Sequence, residues 1–570
     1  MGTFLSISNL ADILGVSLAT VQKWRRIGTY PARTDKNGRE GFFMEDLVSL
    51  PPIRAMLRNC WTEEMQVFPE RTFTSIELFA GGGGLALGME MAGFKHVLLN
   101  EFDTYACQTL RKNRPYWNVI EGDVASVDFT PWKGKIDFIS GGFPCQAFSY
   151  AGKKGGLNDT RGTLFFQLAR AVREVQPKVF LGENVKGLLS HENGKTLDVI
   201  RNAIHELGYT LIEPHVLKAI MYKVPQKRER LILVAIRNDY ANKVEFKWPS
   251  PYGRVMTLRD AFFAGELYDT NVPESLGQKY PESKRKVMDL VPEGGDWRNL
   301  PEDVQKQYMG GSFYLGGGKT GMARRLSMDE PSLTLTCAPA QKQTERCHPI
   351  ETRPLTVREY ARIQTFPDEW QFAGTLSAQY KQIGNAVPVN LAWAVGRSIM
   401  RLMNQIDRID RGEDIEDSDT NKGRYEKYYK TPEGEIVQLS LFEPNGLYLS
   451  KSDDKLLIGS CRQGIRNWII SNLLYNYPIT HEELSAHPEL TRVKHLIVVH
   501  RKSIVGYFSV TGVKVVDRQC LKEHDYPVKS SKHRSDTLYL LFSLKKKNEA
   551  MVNIKWDDFT VILGKGISFK

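Results

Sequence analysis

The predicted fold is decided by the stretch I-D-F-I-S-G-G-F-P-C-Q-A-F-S, which runs from Ile136 to Ser149. Its first apolar residues predict a short buried strand. Gly141, Gly142 and Pro144 predict that regular structure stops immediately afterwards. Cys145 then follows the carboxyl end of a strand, which is where open α/β sheets bind their ligands. The stretch therefore predicts an α/β sheet with a thiol at its ligand-binding edge.

A second apolar run, V-F-L-G-E-N-V, brings a carboxylate to the end of the next predicted strand at Glu183. If the two strands are neighbours, a thiol and a carboxylate meet over one pocket. That pair suits covalent attack on an electron-poor ring whose nitrogen is protonated during the attack. The loop between them is rich in glycine and lysine, which predicts either a lid that touches phosphates or an ordinary surface loop.

A glycine turn precedes both strands. The run T-S-I-E-L-F-A predicts a strand, Gly81–Gly84 form the turn, and a helical pattern follows, as at the start of a nucleotide-binding βα unit. The next strand ends in Glu101, which either accepts two ribose hydroxyls or faces solvent. Phe102 either stacks on an adenine or joins the core, and Asp123 follows a third strand near the position of an adenine amino group.

Composition limits the remaining choices. A chain of 570 residues predicts more than one domain, and a net charge of +11 favours a polyanionic partner such as nucleic acid. The seven cysteines include no C-x-x-C pair, so we expect no zinc module and no metal. The sequence has no apolar run of about 18 residues and no signal pattern, which predicts no membrane association and a cytoplasmic protein.

The first 60 residues predict two short helices joined by a tight turn. The first helix ends at Gly15, and Ser17 caps a second helix with a basic outer face (Gln22, Lys23, Arg25 and Arg26). The pair resembles a helix-turn-helix of the MerR or excisionase type, and a following turn with Arg33, Lys36 and Arg39 resembles a wing. The alternative is a small helical cap with a solvated basic face.

The ordered blocks of the chain closely resemble the DNA (cytosine-5) methyltransferases of bacterial restriction–modification type. The blocks are F-A-G-G-G-G, Glu101, G-F-P-C-Q, E-N-V, Q-K-R-E-R, R-P-L-T-V-R-E and G-N-A-V, between about Thr72 and Met403. The resemblance implies a Rossmann-like, S-adenosylmethionine-dependent methyltransferase fold with a small target-recognition lobe. Outside that core it leaves the N-terminal helix-turn-helix and a C-terminal α/β or α+β domain.

The resemblance also implies roles for individual residues. Cys145 corresponds to the nucleophile that adds to carbon 6 of cytosine, Glu183 to the acid at ring nitrogen 3, and Arg230 to the arginine that holds the ring carbonyl. Arg228 would support a loop or a phosphate. Residues at cofactor-binding positions are Phe79, Gly81, Gly83, Gly84, Glu101, Phe102, Asp123, Val124, Pro144, Leu164 and Asn385. Residues at DNA-binding positions are Gln146, Ser149, Lys153, Arg161 and Thr334.

The predicted domain order follows from these blocks. It comprises a helix-turn-helix (1–60), a catalytic domain in two segments (72–237 and 349–404), an inserted recognition domain (238–348), a charged linker (405–435) and a C-terminal domain (436–570). The implied cofactor is S-adenosylmethionine. The implied partners are double-stranded DNA, bound as a monomer, and a cognate restriction endonuclease.

Three alternatives stay open from the sequence. A transfer-RNA cytosine-5 methyltransferase shares the P-C-Q pattern, although the long segment between Arg237 and Arg353 favours sequence reading on duplex DNA. The N-terminal helices could make the chain a transcriptional regulator as well as an enzyme, in which case deletion of residues 1–60 should spare methylation. A nuclease in the C-terminal domain would need clustered carboxylates around a metal, and no persuasive spacing occurs there.

Overall fold

The structure is a computed structural model of the chain. It describes residues 3–35, 38–143, 164–314 and 320–413, together with six strands between residues 455 and 563. The chain divides into two compact units, Met1–Ser418 and Asp419–Lys570. Among the described residues, no helix combines the length and the apolar character needed to cross a membrane.

The first segment has the predicted pair of capped helices beside a small sheet. Its elements are β1 (Phe4–Ser6), α1 (Ile7–Leu14), α2 (Leu18–Ile27), β2 (Arg33–Thr34), β3 (Glu40–Phe43), α3 (Pro51–Leu57) and α4 (Trp61–Glu64). The Ser17 hydroxyl accepts the Thr20 N–H at 3.1 Å, and Gly15 and Gly28 end the two helices in the left-handed region. The stretch between β3 and β4 is partly helical, because it contains α3 and α4.

A mixed sheet occupies the middle of the first unit. Its segment contains β4 (Phe73–Leu78), α5 (Gly84–Met91), β5 (Phe94–Glu101), α6 (Thr104–Asn113), β6 (Val119–Glu121), β7 (Phe138–Gly142), α7 (Leu164–Val175), β8 (Val179–Val185), α8 (Lys195–Glu206), β9 (Tyr209–Leu211), β10 (His215–Lys218), β11 (Gln226–Lys227) and β12 (Glu229–Arg237). In the described residues the strand order is β10-β12-β8-β7-β4-β5-β6, with β9 on β12.

The strand order places a topological switch point at β4. The chain moves outward through β5 and β6 on one side of β4, then returns to β7 and β8 on its other side, and all these pairings are parallel. Ligands of open α/β sheets bind at the carboxyl ends of the strands beside such a point. The glycine turn after β4 and the segment after β7 therefore border one crevice.

One local expectation was wrong. Gly141 and Gly142 do not stop the strand; both belong to β7, where Gly141 pairs with Gly182 and Gly142 with Glu183. The strand tolerates glycine here because a neighbouring side chain approaches the backbone too closely to leave room for a Cβ. A Cβ on Gly142 would stand 2.9 Å from Oε2 of Glu183.

The rest of the first unit returns to this sheet after an irregular region. Its elements are α9 (Asn238–Ala241), α10 (Leu258–Phe262), α11 (Glu282–Asp289), α12 (Glu302–Met309), β13 (Ser332–Leu333), α13 (Val357–Ile363), α14 (Leu376–Asn385) and α15 (Val389–Asp410). β13 is only two residues long and pairs in parallel with β11. α15 packs directly on α5, where a Cβ on Gly88 would stand 2.4 Å from that of Ala392.

The second unit contains six described strands. They are β14 (Lys455–Ser460), β15 (Leu474–Ile479), β16 (Val493–His500), β17 (Ser503–Val516), β18 (Leu538–Lys546) and β19 (Thr560–Leu563). They form a mixed sheet in the order β15-β18-β17-β16-β14-β19. The apolar runs L-I-V-V and L-Y-L-L-F-S-L lie within β16 and β18.

A buried acid in β4 gives the fold a pH-dependent stability. Burial raises the pKa of Glu77 to about 8 from 4.5, and the Ser140 hydroxyl, which donates to Oε2 at 3.0 Å, only partly opposes this. Because the folded pKa is the higher one, the folded protein keeps a proton that the unfolded chain releases. The free energy of unfolding should therefore fall as pH rises between about 4.5 and about 8.

Glu77→Gln should remove this fall in the free energy of unfolding at high pH. We expect the variant to be more stable than the parent by about 1–3 kcal/mol at pH 8.5 and to differ little at pH 5. Thermal unfolding followed by circular dichroism at both pH values measures the difference. Glu206→Gln, which changes an exposed acid of α8, is the matched control and should shift neither value. An identical pH profile for Glu77→Gln and the parent would mean that Glu77 is ionised in the folded protein.

Candidate active site

The glycine turn after β4 is tightly enclosed. Phe79, Gly81 and Gly83 all have positive φ, at 59°, 54° and 89°. A Cβ on Gly83 would stand 2.7 Å from the Trp370 ring, and one on Gly84 would stand 2.3 Å from the Val387 carbonyl oxygen. Trp370 Nε1 also donates to the Gly82 carbonyl at 3.1 Å. The turn therefore needs glycine both for its conformation and for the close approach of the returning chain.

The neighbours of Gly82 are already large. A Cβ at this position would stand 3.2 Å from Cβ of Gln382 and 3.4 Å from the Phe372 ring. In this chain the space beside the turn is thus filled from α14 and the segment before it.

Glu101 ends β5 directly beside the turn. Its Oε2 accepts the Gly81 N–H at 2.7 Å and its Oε1 accepts the Asp103 N–H at 2.8 Å. Each carboxylate oxygen has a second lone pair that can accept a ribose hydroxyl. The carboxylate thus fixes the glycine turn while one acceptor site on each oxygen stays unused by these two bonds.

The neighbouring strand end presents an aromatic ring and a second acid. Phe102 is 76% exposed, so it does not join the core as one reading of the sequence allowed. Asp123 is exposed and caps the turn after β6 through the Ala125 N–H, while Val124 is buried. The Glu101 carbonyl accepts the Gly122 N–H at 2.9 Å, which holds the two strand ends together.

These strand ends fit the implied cofactor. A nucleoside needs a backbone that allows close approach, an acceptor for its ribose hydroxyls, and an exposed aromatic face for its base. The turn, Glu101 and Phe102 offer these three features at adjacent strand ends. Leu164 begins α7 and is half-buried. Asn385 is the last residue of α14, and its Oδ1 accepts from Sγ of Cys337 at 3.2 Å.

Glu101→Gln should therefore weaken cofactor binding selectively. The amide loses one acceptor and the negative charge, and hydrogen bonds to charged groups contribute about 1.5–3 kcal/mol each, so the Kd for S-adenosylmethionine should rise about ten- to a hundredfold. Isothermal titration calorimetry measures this, and a gel shift measures DNA binding, which should change little. Glu206→Gln is the control here too. Equal weakening of both affinities would contradict a ribose-binding role.

On the other side of the switch point, a buried ion pair joins β8 to β12. Nε of Arg230 lies 2.6 Å from Oε1 of Glu183, and both residues are 8% exposed. Burial raises the pKa of Glu183, and the charges of Arg230 and Arg228 oppose this rise. A carboxyl group with a raised pKa is suited to sharing a proton with a ring nitrogen.

The carboxyl end of β8 also holds the segment after β7, which leads to Cys145. Gly142 pairs with Glu183, and Nδ2 of Asn184 donates to the Phe143 carbonyl at 2.7 Å. Asn184 is buried, so this bond fixes the last described residue of the segment. Asn184 lies within the E-N-V block, but its sequence context alone indicated no role for it. Six residues predicted for the site lie outside the described residues: Pro144, Cys145, Gln146, Ser149, Lys153 and Arg161.

The side chain of Arg228 is enclosed by backbone carbonyls. It is 2% exposed and donates to the Leu335 carbonyl at 3.2 Å and to the Gly384 carbonyl at 2.9 Å. A side chain enclosed in this way has no free face for a DNA phosphate, so of its two implied roles only support of a loop stays open. Arg228 connects β11–β12 to the chain at Leu335 and to the end of α14.

Two buried glutamines support the same junction and were missed from the sequence. Gln226 accepts the Leu335 N–H at 2.9 Å and donates to Oε1 of Gln364 at 2.8 Å. The first letter of Q-K-R-E-R was the available signal for Gln226. Thr334 is exposed, and its hydroxyl donates to the Lys227 carbonyl at 2.6 Å. Thr334 and Leu335, called the Thr-Leu pair below, are thus held beside Arg228 by Gln226 and by the backbone of Lys227.

Comparison with known proteins agrees with this geometry. The family model for C-5 cytosine-specific DNA methylases matches residues 73–401. The type II methyltransferase M.Eco47II of Escherichia coli is 62% identical over 404 residues, covering 71% of this chain and 97% of the relative. M.PspPI of Psychrobacter sp. (strain TA137) is 59% identical over 400 residues, covering 70% and 96%. M.Sau96I of Staphylococcus aureus is 48% identical over 340 residues, covering 59% and 77%. The chain therefore belongs to the C-5 cytosine-specific DNA methylase family.

Proposed function

We propose that this chain methylates carbon 5 of a cytosine within a specific duplex sequence, as the modification enzyme of a restriction–modification system. The buried pair of Glu183 and Arg230 carries the proposal, because it lies at the strand end from which the chain leads to Cys145. The relatives that are named type II methyltransferases support the restriction–modification setting. The methyl donor of this family is S-adenosylmethionine.

The proposed mechanism assigns one task to each group. The thiolate of Cys145 adds to carbon 6 of the cytosine while Glu183 shares its proton with ring nitrogen 3, so electron density moves to carbon 5. Arg230 holds the ring carbonyl and keeps the Glu183 carboxyl group oriented. S-adenosylmethionine supplies the methyl group that carbon 5 takes up. A base then removes the proton from carbon 5, and the thiolate leaves as the double bond re-forms.

The cofactor residues follow the strand ends described above. We propose that Glu101 accepts the ribose hydroxyls, that Phe102 stacks on the adenine, and that Asp123 and Val124 receive its amino edge. Phe79, Gly81, Gly83 and Gly84 would line the amino-acid part, with Pro144, Leu164 and Asn385 closing the pocket. The proposed base-flipped cytosine costs a few kcal/mol to extrude. Contacts from Gln146, Ser149, Lys153, Arg161 and Thr334 to the DNA would offset that cost.

The proposed domain organisation keeps the predicted boundaries. The catalytic domain (72–237 and 349–404) encloses a target-recognition domain (238–348), flanked by the N-terminal helix-turn-helix (1–60), the linker (405–435) and the C-terminal domain (436–570). The irregular region between α9 and β13 has its own small core around Met288, Val291 and Leu300. This separate core supports the proposal that the region is a recognition lobe. We propose that the protein acts as a monomer on DNA in the bacterial cytoplasm, beside a cognate endonuclease.

The transfer-RNA alternative is not favoured, since the relatives above are named as type II methyltransferases. One experiment tests both readings. Bisulfite sequencing of genomic DNA from a methylation-deficient host that expresses the chain should reveal methylated cytosines in one sequence context. The Cys145→Ala variant is the control and should leave the DNA unmodified. Unmodified DNA with the parent chain, together with methylated transfer RNA, would overturn the proposal.

A further inference from the structure

The N-terminal segment is built into the methyltransferase unit instead of being tethered to it. Leu5, Leu10 and Phe42 of this segment lie in one buried cluster with Ile220 and Val255. Both latter residues belong to the chain around β10–β12 and the recognition region. A shared apolar core resists removal of either part, so deletion of the segment would expose Ile220 and Val255 to water.

Two lysines reinforce this docking at the end of α1. Nζ of Lys218 donates to the carbonyl oxygens of Asp12 and Ile13, each at 2.8 Å. Nζ of Lys227 donates to the Ser8 hydroxyl at 2.6 Å and lies 2.8 Å from Oδ2 of Asp12. Cations are stabilised beside the carbonyls that end a helix. The orientation of the helix pair is therefore fixed by polar as well as apolar contacts.

These contacts place the segment directly beside the residues that face the target. Lys227 precedes Arg228, and its own carbonyl accepts the Thr334 hydroxyl at 2.6 Å. Lys227 thus contacts both α1 and the Thr-Leu pair. At a second point, a guanidinium N–H of Arg39 donates to the Asp329 carbonyl at 3.1 Å, within the recognition region.

The outer face of α2 is basic and without acids. Gln22, Lys23 and Arg26 are exposed along it, and the sequence of α2 contains no Asp or Glu. Arg25 is not part of this face, since it pairs with Glu40 of β3. Of the predicted wing residues, Arg33 pairs with Asp46 and Arg39 with Asp35, and Lys36 lies outside the described residues. Among the described residues of the segment, Lys23 and Arg26 are thus two exposed cations that share one helix face.

We propose that the outer face of α2, through Lys23 and Arg26, binds phosphates of the same duplex that presents the target cytosine, outside the methylated site. The inference rests on the proposed function. α1, the partner of α2, touches Lys227 beside the Thr-Leu pair, so the helix pair adjoins the recognition region and we place the outer face of α2 over base pairs that flank the site. The helix pair thus lengthens the DNA-binding surface of the recognition region along the duplex.

DNA length tests this inference. Methyl transfer is measured on a duplex of about 40 base pairs and on one of about 12, both centred on the site identified by bisulfite sequencing. The double variant Lys23→Ala/Arg26→Ala should raise KM on the long duplex about tenfold, with kcat unchanged, and should make the salt dependence of binding shallower by about two units. On the short duplex, which lacks those flanking base pairs, the two proteins should differ less than about twofold.

The matched control is Lys95→Ala/Lys133→Ala. It removes two exposed lysines near the amino ends of β5 and β7, at the sheet edge opposite the crevice, and should leave KM on both duplexes within about twofold of the parent. An equal penalty on both lengths, or a penalty in the control that matches the α2 variant, would overturn the inference. Absence of methyl transfer by the parent on both duplexes would instead refute the proposed function.

Discussion

Cys145→Ala should abolish methyl transfer, with a loss of at least about 10⁴-fold, because removal of a covalent nucleophile leaves only binding and orientation. Carbon 5 of cytosine is a poor nucleophile until a thiolate has added to carbon 6. The variant should keep its affinity for S-adenosylmethionine, since the turn at Gly81–Gly84 and Glu101 are unchanged. Incorporation of a radiolabelled methyl group into a duplex with the target site measures the loss.

A mechanism-based trap separates this thiol from the others. A duplex with 5-fluorocytosine at the target should join covalently to the parent protein, because fluorine at carbon 5 prevents the final elimination. Cys337 is the matched control, as it is an exposed cysteine of the described residues near the crevice. Cys337→Ala should still form the adduct and Cys145→Ala should not. An adduct that persists in Cys145→Ala would contradict the assignment of the nucleophile.

Arg230→Met should cost both stability and activity. It removes the cation that lies 2.6 Å from the buried carboxylate of Glu183, and breaking a buried ion pair costs about 3–5 kcal/mol. The pKa of Glu183, already raised by burial, should rise further, and the ring carbonyl loses its partner. We expect methyl transfer to fall about 10²- to 10³-fold, as for the loss of one positioned catalytic donor. Denaturant unfolding and single-turnover kinetics measure the two effects.

A second substitution distinguishes the two losses. Arg230→Met/Glu183→Gln removes both charges, so it should recover much of the stability but none of the activity. Arg201→Met is the control, since its partner Glu213 is solvent-exposed and such pairs contribute about 1 kcal/mol or less. If the double variant regained methyl transfer, the pair would be needed only for folding.

Local sequence patterns were enough to predict the parts of the site that lie at the ends of consecutive elements, namely the glycine turn between β4 and α5 and the ends of β7 and β8. A strand, a glycine turn and a helix dictate the geometry around Gly81–Gly84 through their own φ angles and spacing. Glu183 could be placed beside the segment after β7 because parallel neighbours end at one edge. In these places the determinants lie within a few residues of the feature they determine.

The sequence could not predict interactions whose partners are far along the chain. The alternation in Q-K-R-E-R suggests that Arg228 and Arg230 face one side, yet Arg228 is enclosed by the carbonyls of Leu335 and Gly384. Those acceptors lie 107 and 156 residues away, so periodicity carries no information about them. The docking of α1 on Lys218 and Lys227 is of the same kind. Because of this docking, we expect deletion of residues 1–60 to destabilise the methyltransferase unit.

The closure of the glycine turn by Trp370 and Val387 has a consequence during synthesis. The ribosome synthesises the turn early, but Trp370 and Val387, which cover it, are added only almost three hundred residues later. At about 5–20 residues per second, a nascent chain waits tens of seconds with this turn uncovered. A fragment released before Trp370 emerges has the nucleotide-binding strands without their cover, so premature termination should yield chains that cannot retain the methyl donor.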